Sequence, residues 1–351
     1  MRQKHQEVQE YYGKELTSTD DLKTTACCTM TPPPEHIIEV LGQIHDEVKD
    51  KYYGCGLTIP YQLKGLKILD LGSGSGRDCF IASKMVGQEG FVVGVDMTQE
   101  QLDVANKHID YHTETFGYKY ANTKFIKGNI ETLDQLGLEK GSFDLIISNC
   151  VINLAEDKSK VLKDAYDLLK PGGEMYFSDV YSDRRIPRHL QEDKVLWGEC
   201  LSGALYWNDF LNIAKNSGFI DPRNVESKPI EISNQALADK LGLIQFFSVT
   251  YRLFKLPKLE SDCEDYGQAV SYKGTIEGLK NAYKLDDHHI FPTGKMMPVC
   301  GNTYMMLADT RFNDHFEFYG TWDTHYGIFE GCGGKMPFTS SNQGDVSESC
   351  C

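Results

Sequence analysis

Short apolar runs alternate with amphipathic stretches from about Leu63 to Val180. The run LKILDL (Leu66 to Leu71) ends at three closely spaced glycines and predicts a buried parallel strand. GRDCFIASKMVG follows with apolar residues at helical spacing, Phe80, Ile81 and Met85, and Gly87 as a stop. GFVVGVDM predicts a second strand ending at Asp96, and Thr98 with Gln101 forms a capping-box pattern opening a helix through about Tyr111. TKFIKGNIE and SFDLIISNCVINL predict strands three and four. KSKVLKDAYDLLKPGG predicts a helix stopped at Pro171, and EMYFSDV predicts strand five. This alternation predicts a doubly wound α/β sheet.

Beyond it, a long helical pattern through Phe219 leads to two β-rich runs, RNVESKPIEI and FFSVTYRLFK, expected to pair antiparallel at the sheet edge. After Pro257 the chain turns glycine-rich with short strand-like segments, which predicts a small C-terminal α+β domain. The expected organisation is an N-terminal segment 1–34 holding the vicinal pair Cys27 and Cys28, a main domain 35–257, a small domain 258–338 and a disordered tail 339–351.

Composition narrows the partners. A formal net charge of −15 disfavours nucleic acid, because phosphate affinity comes from clustered Lys and Arg. No run of 18 apolar residues is present, and the polar N-terminus lacks a signal-peptide core, so a cytoplasmic protein with no membrane partner is expected. In such a reducing compartment the eleven cysteines are expected to be mostly free thiols. No C-x-x-C occurs among them, so zinc is disfavoured and no metal cofactor is expected.

The glycine loop carries the first chemistry. Gly72, Ser73, Gly74 and Gly76 lie in a G-x-G-x-G pattern rather than the G-x-G-x-x-G that favours a dinucleotide pyrophosphate. Asp96 ends strand two about twenty residues on, suited to ribose hydroxyls, and Met97 offers a polarizable surface to an adenine ring. Together they favour S-adenosylmethionine. The structural alternative is a glycine turn that serves packing alone.

Cys79 falls in the first turn of the helix after this loop, where backbone amides lower a thiol's pKa and favour thiolate. Cys150 follows strand four, at the carboxyl edge where open α/β sheets bind ligands. Cys55 sits in the glycine-flanked turn YYGCGL. Cys200 falls in a helical pattern and reads as core, and Cys263, Cys300 and Cys332 read as small core hydrophobes too.

LDLGSGSGRDCF, VGVDMTQEQL, ISNCVINL, LKPGGEMYFSDVY and GECLSGALY resemble the arsenite S-adenosylmethionine methyltransferases. So do CCTMTPPPEHI, YYGCGL, HHIFPTGK, PVCGNT and DTRF, and the likeness runs from about Cys27 to Phe316. It implies a Rossmann-like class I methyltransferase sheet and methylation of trivalent arsenic, in arsenic detoxification. Trivalent arsenic is soft and prefers thiolates to oxygen or imidazole ligands. The resemblance implies that Cys150 and Cys200 hold arsenic through successive methylations, with Cys79 as a further ligand, and that Cys79 and Cys55 serve capture and disulfide relay. It also implies glutathione or thioredoxin as reductant. Asn129 and Ile130 are expected to flank the adenine and Asn149 to meet the methionine end. Tyr52 and Tyr53 read equally as cofactor cover or packing, and Cys27-Cys28 as arsenic relay or dispensable segment. Two rivals share parts of this pattern: a small-molecule C- or O-methyltransferase with structural cysteines, and a thiol-rich metalloid-binding protein.

Overall fold

The computed structural model describes residues 34–52, 58–193, 196–197 and 200–332. Strands β1 (Lys67–Leu71), β2 (Phe91–Asp96), β3 (Thr123–Lys127), β4 (Phe143–Asn149), β5 (Leu169–Ser182), β6 (Leu205–Tyr206), β7 (Arg223–Pro229) and β8 (Phe246–Phe254) form one sheet. Its order is β3-β2-β1-β4-β5-β8-β7, with β6 beside β5. The first five strands run parallel, and β8 is antiparallel to both β5 and β7, as the two late β-rich runs predict.

Period-two alternation explains why the core has two faces. Leu69 and Leu71 on β1, with Ile146 on β4, face a cluster that includes Val161, Leu162 and Ala165 of the helix Lys158–Leu168. Ile68, Leu145 and Ile147 point the other way, onto Phe80, Ile81 and Ala82 of the helix Arg77–Val86. Both faces are covered, so the strands read as continuous apolar runs.

Three local expectations are corrected. Thr98 precedes the helix Gln99–Lys107 without a side-chain capping bond, and a second helix, Ile109–Thr115, begins after His108. Gln101 is buried against the glycine-loop cleft instead of reaching back as a box partner. The helix before β5 ends at Leu168, and Pro171 lies inside β5 at an irregularity, where Leu169 pairs with Phe143 but Glu174 pairs with Leu145. The residues between stand out of register, which tolerates a proline that cannot donate to the ladder. Among the described residues the long helical pattern after β5 holds a four-residue helix Arg188–Gln191, helical positions at 196–197, β6 and the helix Trp207–Asn216.

C-terminal strands β9 (Glu264–Asp265), β10 (Gln268–Tyr272), β11 (Ala282–Lys284), β12 (Ile290–Pro292), β13 (Met296–Val299), β14 (Phe316–Tyr319) and β15 (Gly327–Ile328) make small antiparallel sheets around the helix Gly301–Ala308. Tyr272, Tyr283, Phe291, Phe312 and Phe316 form their core. Buried charge ties this layer to the main sheet. Glu174 of β5 accepts from Arg252 of β8 at 2.6 Å and is ion-paired with Arg311 at 2.5 Å, while Arg252 also donates to Tyr283 and the Leu285 carbonyl. Removing one member of such a buried group costs about 3–5 kcal/mol, because its partner is left charged and dry. Among the described residues no helix is long and apolar enough to cross a membrane.

Candidate active site

A cleft of about 970 Å³, including its mouth, opens at the carboxyl ends of β1, β2 and β4. Gly72, Gly74 and Gly76 all have positive φ, of 76°, 53° and 88°. A Cβ on Gly72 would lie 2.4 Å from Val151 and one on Gly76 2.7 Å from Phe125, so backbone freedom and close approach both demand glycine. The loop is pinned by Asp96, whose carboxylate accepts from the Gly74 amide at 2.9 Å and the Thr98 amide at 2.8 Å. Burial raises the Asp96 pKa, and those amides pull it back.

Gly72, Ser73, Gly74, Asp96, Met97, Asn129, Ile130 and Asn149 all line this cleft, while Gly76 sits behind it as the cap of the helix Arg77–Val86. Asn129 fixes the rim, its Oδ1 accepting from the Glu131 amide at 2.9 Å. Ser73 Oγ is buried with no hydrogen-bond partner among the described residues. A glycine cradle, an acid at the end of β2 and an orphaned hydroxyl fit a nucleoside-bearing ligand, and S-adenosylmethionine is the group these donors suit.

Tyr52 has a defined place. Its ring lies under the Arg77 guanidinium, 3.0 Å from ring centre to Cζ, and its hydroxyl accepts from Asn149 Nδ2. Asp78 joins the group by accepting from Arg77 at 2.6 and 2.8 Å and from Asn149 at 3.2 Å. Sequence reading missed Arg77 and Asp78; the signal was GRD directly after the last glycine, an acid in the first helical turn. Tyr53 lies outside the described residues.

Cys150 and Cys200 come together, fifty residues apart. Cys200 Sγ donates to the Cys150 carbonyl at 3.4 Å, and both residues belong to one apolar cluster with Leu154, Leu196 and Leu201, against which Met97 packs. Each has positive φ, 57° for Cys150 and 60° for Cys200. Left-handed backbone is costly for a side-chain-bearing residue and collects at functional sites. Cys150 lines the cleft just past β4 and is disulfide-bonded; Cys200 is not in a disulfide, so the two are not joined to each other. Close approach explains the docking: a Cβ on Gly203 would lie 2.3 Å from the Asn153 carbonyl oxygen. Only glycine lets the Cys200 segment lie flat against the chain following Cys150.

Cys79 does not join them, and its expected activation is corrected. It is 0% exposed, packs in the cluster behind the glycine loop and donates its S–H to Asp70 at 3.2 Å. Burial pushes its pKa well above the ordinary value, and Asp70, Asp78 and Asp96 push the same way. Three carboxyl groups and desolvation outweigh the helix N-terminus. Asp70 is itself pushed up to about 8, chiefly by burial. In this placement Cys79 is a buried donor to Asp70, in a different cluster from Cys150 and Cys200. Cys55, Cys27, Cys28, Cys350 and Cys351 lie outside the described residues.

Among the described residues, His45, Glu47 and His108 are the grouping close enough to share a metal ion, but the Lys107 ammonium is 2.7 Å from the Glu47 carboxylate. That carboxylate already carries its counter-charge.

Comparison with known proteins accords with this geometry. A methyltransferase-domain family model matches residues 62–218, and the model of the arsenite methyltransferase C-terminal domain matches residues 266–344. The arsenite methyltransferase of Aquipseudomonas alcaligenes is 57% identical over 347 residues, 99% of this chain and 100% of that protein. That of Homo sapiens is 45% identical over 313 residues, 88% of this chain and 82% of that one. The crystal structure of an arsenic(III) S-adenosylmethionine methyltransferase from Chlamydomonas reinhardtii, 51% identical, superposes with a TM-score of 0.83 over 85% of this chain and 100% of that chain. With its glycine-loop cleft, its paired cysteines and relatives matched along almost their whole length, the chain belongs to the arsenite methyltransferase family.

Proposed function

We propose that this chain transfers methyl groups from S-adenosylmethionine to trivalent arsenic held by Cys150 and Cys200. The observation that carries this is the contact of Cys200 with Cys150 at the edge of the glycine-loop cleft, with Met97 between cleft and thiol cluster. S-adenosylmethionine, when bound, would supply an electrophilic sulfonium methyl for arsenic's lone pair, the S–C electron pair returning to its sulfur. The protein supplies position. Thiolates of Cys150 and Cys200 hold the metalloid pyramidally with its lone pair free. Asn149 binds the methionine end while Tyr52 and Asp78 hold its amide in place. Asp96 takes the ribose, and Asn129, Ile130 and Met97 flank the base. Little acid–base chemistry is needed when the reacting atoms are brought to about 3–3.5 Å.

Each transfer uses arsenic's lone pair, and return to the trivalent state takes two electrons from a pair of thiols, leaving a disulfide. Cys150 is in such an oxidised state, so ligation through it requires prior reduction. A thiol reductant of the glutathione or thioredoxin class therefore belongs to the cycle, with Cys55 as a relay thiol. A role in arsenic detoxification in the cytoplasm, with the small domain at 258–338 supporting the main domain at 35–257, completes the reading. The deciding experiment incubates the protein with arsenite, S-adenosylmethionine and thiol, and separates arsenic species over time. Absence of methylated arsenic with intact cofactor binding overturns it.

A further inference from the structure

A cleft of about 800 Å³, including its mouth, opens on the C-terminal layer and shares no lining residue with the glycine-loop cleft. Its walls hold the rings of Tyr266, Tyr304 and Trp322, the carboxylates of Glu260 and Asp309, and one ammonium, that of Lys258. Trp322 joins the rings. Its centre lies 4.9 Å from that of Tyr266 and 5.8 Å from that of Tyr304, edge-on to the latter. Trp322 and Tyr266 rest against Gly301, where a Cβ would lie 3.1 Å and 3.2 Å from them.

The acids set the charge. Asn302 clasps the Glu260 backbone, its Oδ1 accepting from the Glu260 amide and its Nδ2 donating to the Glu260 carbonyl, both at 2.8 Å. Glu260 Oε1 accepts from the Tyr266 hydroxyl at 2.9 Å, and Oε2 is buried with no hydrogen-bond partner among the described residues. Neither Glu260 nor Asp309 is ion-paired among the described residues. A buried carboxylate oxygen without a partner is costly, and in a native fold it calls for a compensating charge.

Ring faces and unpaired carboxylates together select a cation, because an aromatic face carries the negative part of its quadrupole. Hydrogen bonding narrows the class. One Glu260 oxygen is occupied by Tyr266 and the other is out of solvent, so this acid acts through its charge. A primary ammonium gives up hydrogen bonds to water on entry and would be left short of acceptors here. A quaternary ammonium has none to lose, and it presents its charge on methyl groups that suit ring faces.

We propose that this cleft binds a small quaternary ammonium ion against Tyr266, Tyr304 and Trp322, with Glu260 and Asp309 supplying the counter-charge. The site is separate from methyl transfer and independent of the function proposed above. Trp322 is 46% exposed, so the bound ion keeps one side in water and exchanges readily.

The probes are choline and its uncharged isostere 3,3-dimethyl-1-butanol, each titrated into the full chain at constant ionic strength. Binding is followed by saturation-transfer NMR of the probe's methyl protons. Choline is expected to saturate and to bind about tenfold more tightly than the isostere, since only the cation gains from ring faces and carboxylates. Glu260→Gln removes the charge while keeping an acceptor for Tyr266, and Trp322→Leu removes a half-exposed ring. Each is expected to weaken choline binding by about tenfold. Equal affinity for the two probes would make the cleft a merely apolar hollow and overturns the site, as does a choline signal that does not saturate. Choline affinity unchanged in either variant overturns it too. The two-probe comparison uses the unsubstituted chain, so it decides the question even where a variant fails to fold.

Discussion

Cys200 donates its thiol hydrogen to the backbone carbonyl of Cys150 at 3.4 Å, and both residues hold left-handed backbone. The proposed function has both cysteines ligate arsenic at the edge of the glycine-loop cleft. Replacing either with serine puts a hard, protonated oxygen where a soft thiolate is required. Cys150→Ser and Cys200→Ser are each expected to abolish methylation of both arsenite and methylarsenite. Calorimetric affinity for S-adenosylmethionine should stay within a few-fold, and full activity in both variants would remove the assignment.

Gly203→Ala tests how that contact is built. Its new Cβ would sit 2.3 Å from the Asn153 carbonyl, so the Cys200 segment must lift. A misplacement of the order of 1 Å is expected to slow methyl transfer by about a hundredfold. Cofactor affinity should hold, because Gly203 is absent from the cleft lining. Wild-type turnover in this variant would mean the segment does not need its close approach.

Cys79 is expected to behave as a structural donor. Cys79→Ser keeps an O–H for Asp70 and should retain methylation of arsenite and methylarsenite alike. Cys79→Ala strands the buried Asp70 acceptor and should cost about 1–3 kcal/mol of stability by urea unfolding. Selective loss of arsenite methylation in the serine variant would return Cys79 to the ligand set.

Asp96→Ala should weaken S-adenosylmethionine binding by about ten- to a hundredfold, the worth of hydrogen bonds to a charged group. The loop glycine it pins, Gly74, moves with it. Binding of a trivalent arsenical, followed by mass spectrometry, should be nearly unchanged. Unaltered cofactor affinity would mean the cleft has been misread.

Asp70 gives the stability a pH dependence of defined sign. Its carboxyl is pushed from an ordinary 3.8 up to about 8, first by burial and then by Asp78. The folded chain therefore keeps a proton that the unfolded chain releases, and this contribution falls as pH rises between those two values. Asp70→Asn still accepts from Cys79 and removes the slope. Its urea midpoint relative to the parent should shift in favour of the variant between about pH 5 and pH 8. A constant difference across that range would contradict the shift.

Local pattern sufficed for much of this molecule, because burial period and turn chemistry act over a few residues. Apolar runs at Ile68, Val92 and Ile146 marked buried parallel strands, and the glycines at 72, 74 and 76 marked a loop that no side chain fits. The cofactor cleft, with Asp96, Met97, Asn129 and Asn149 on its wall, followed from strand order, since loops at the carboxyl edge of such a sheet converge. Cys79 shows where locality ends. Its place in the first helical turn argued for a thiolate, but which face it takes, and that Asp70 waits there, depends on β1 packing behind it. Cys200 shows the converse. Its own segment looked like helix and core, and only folding places it on the Cys150 carbonyl, through Gly203 against Asn153. A thiol's chemistry is set by the charges and solvent around its sulfur, and those are properties of the tertiary fold.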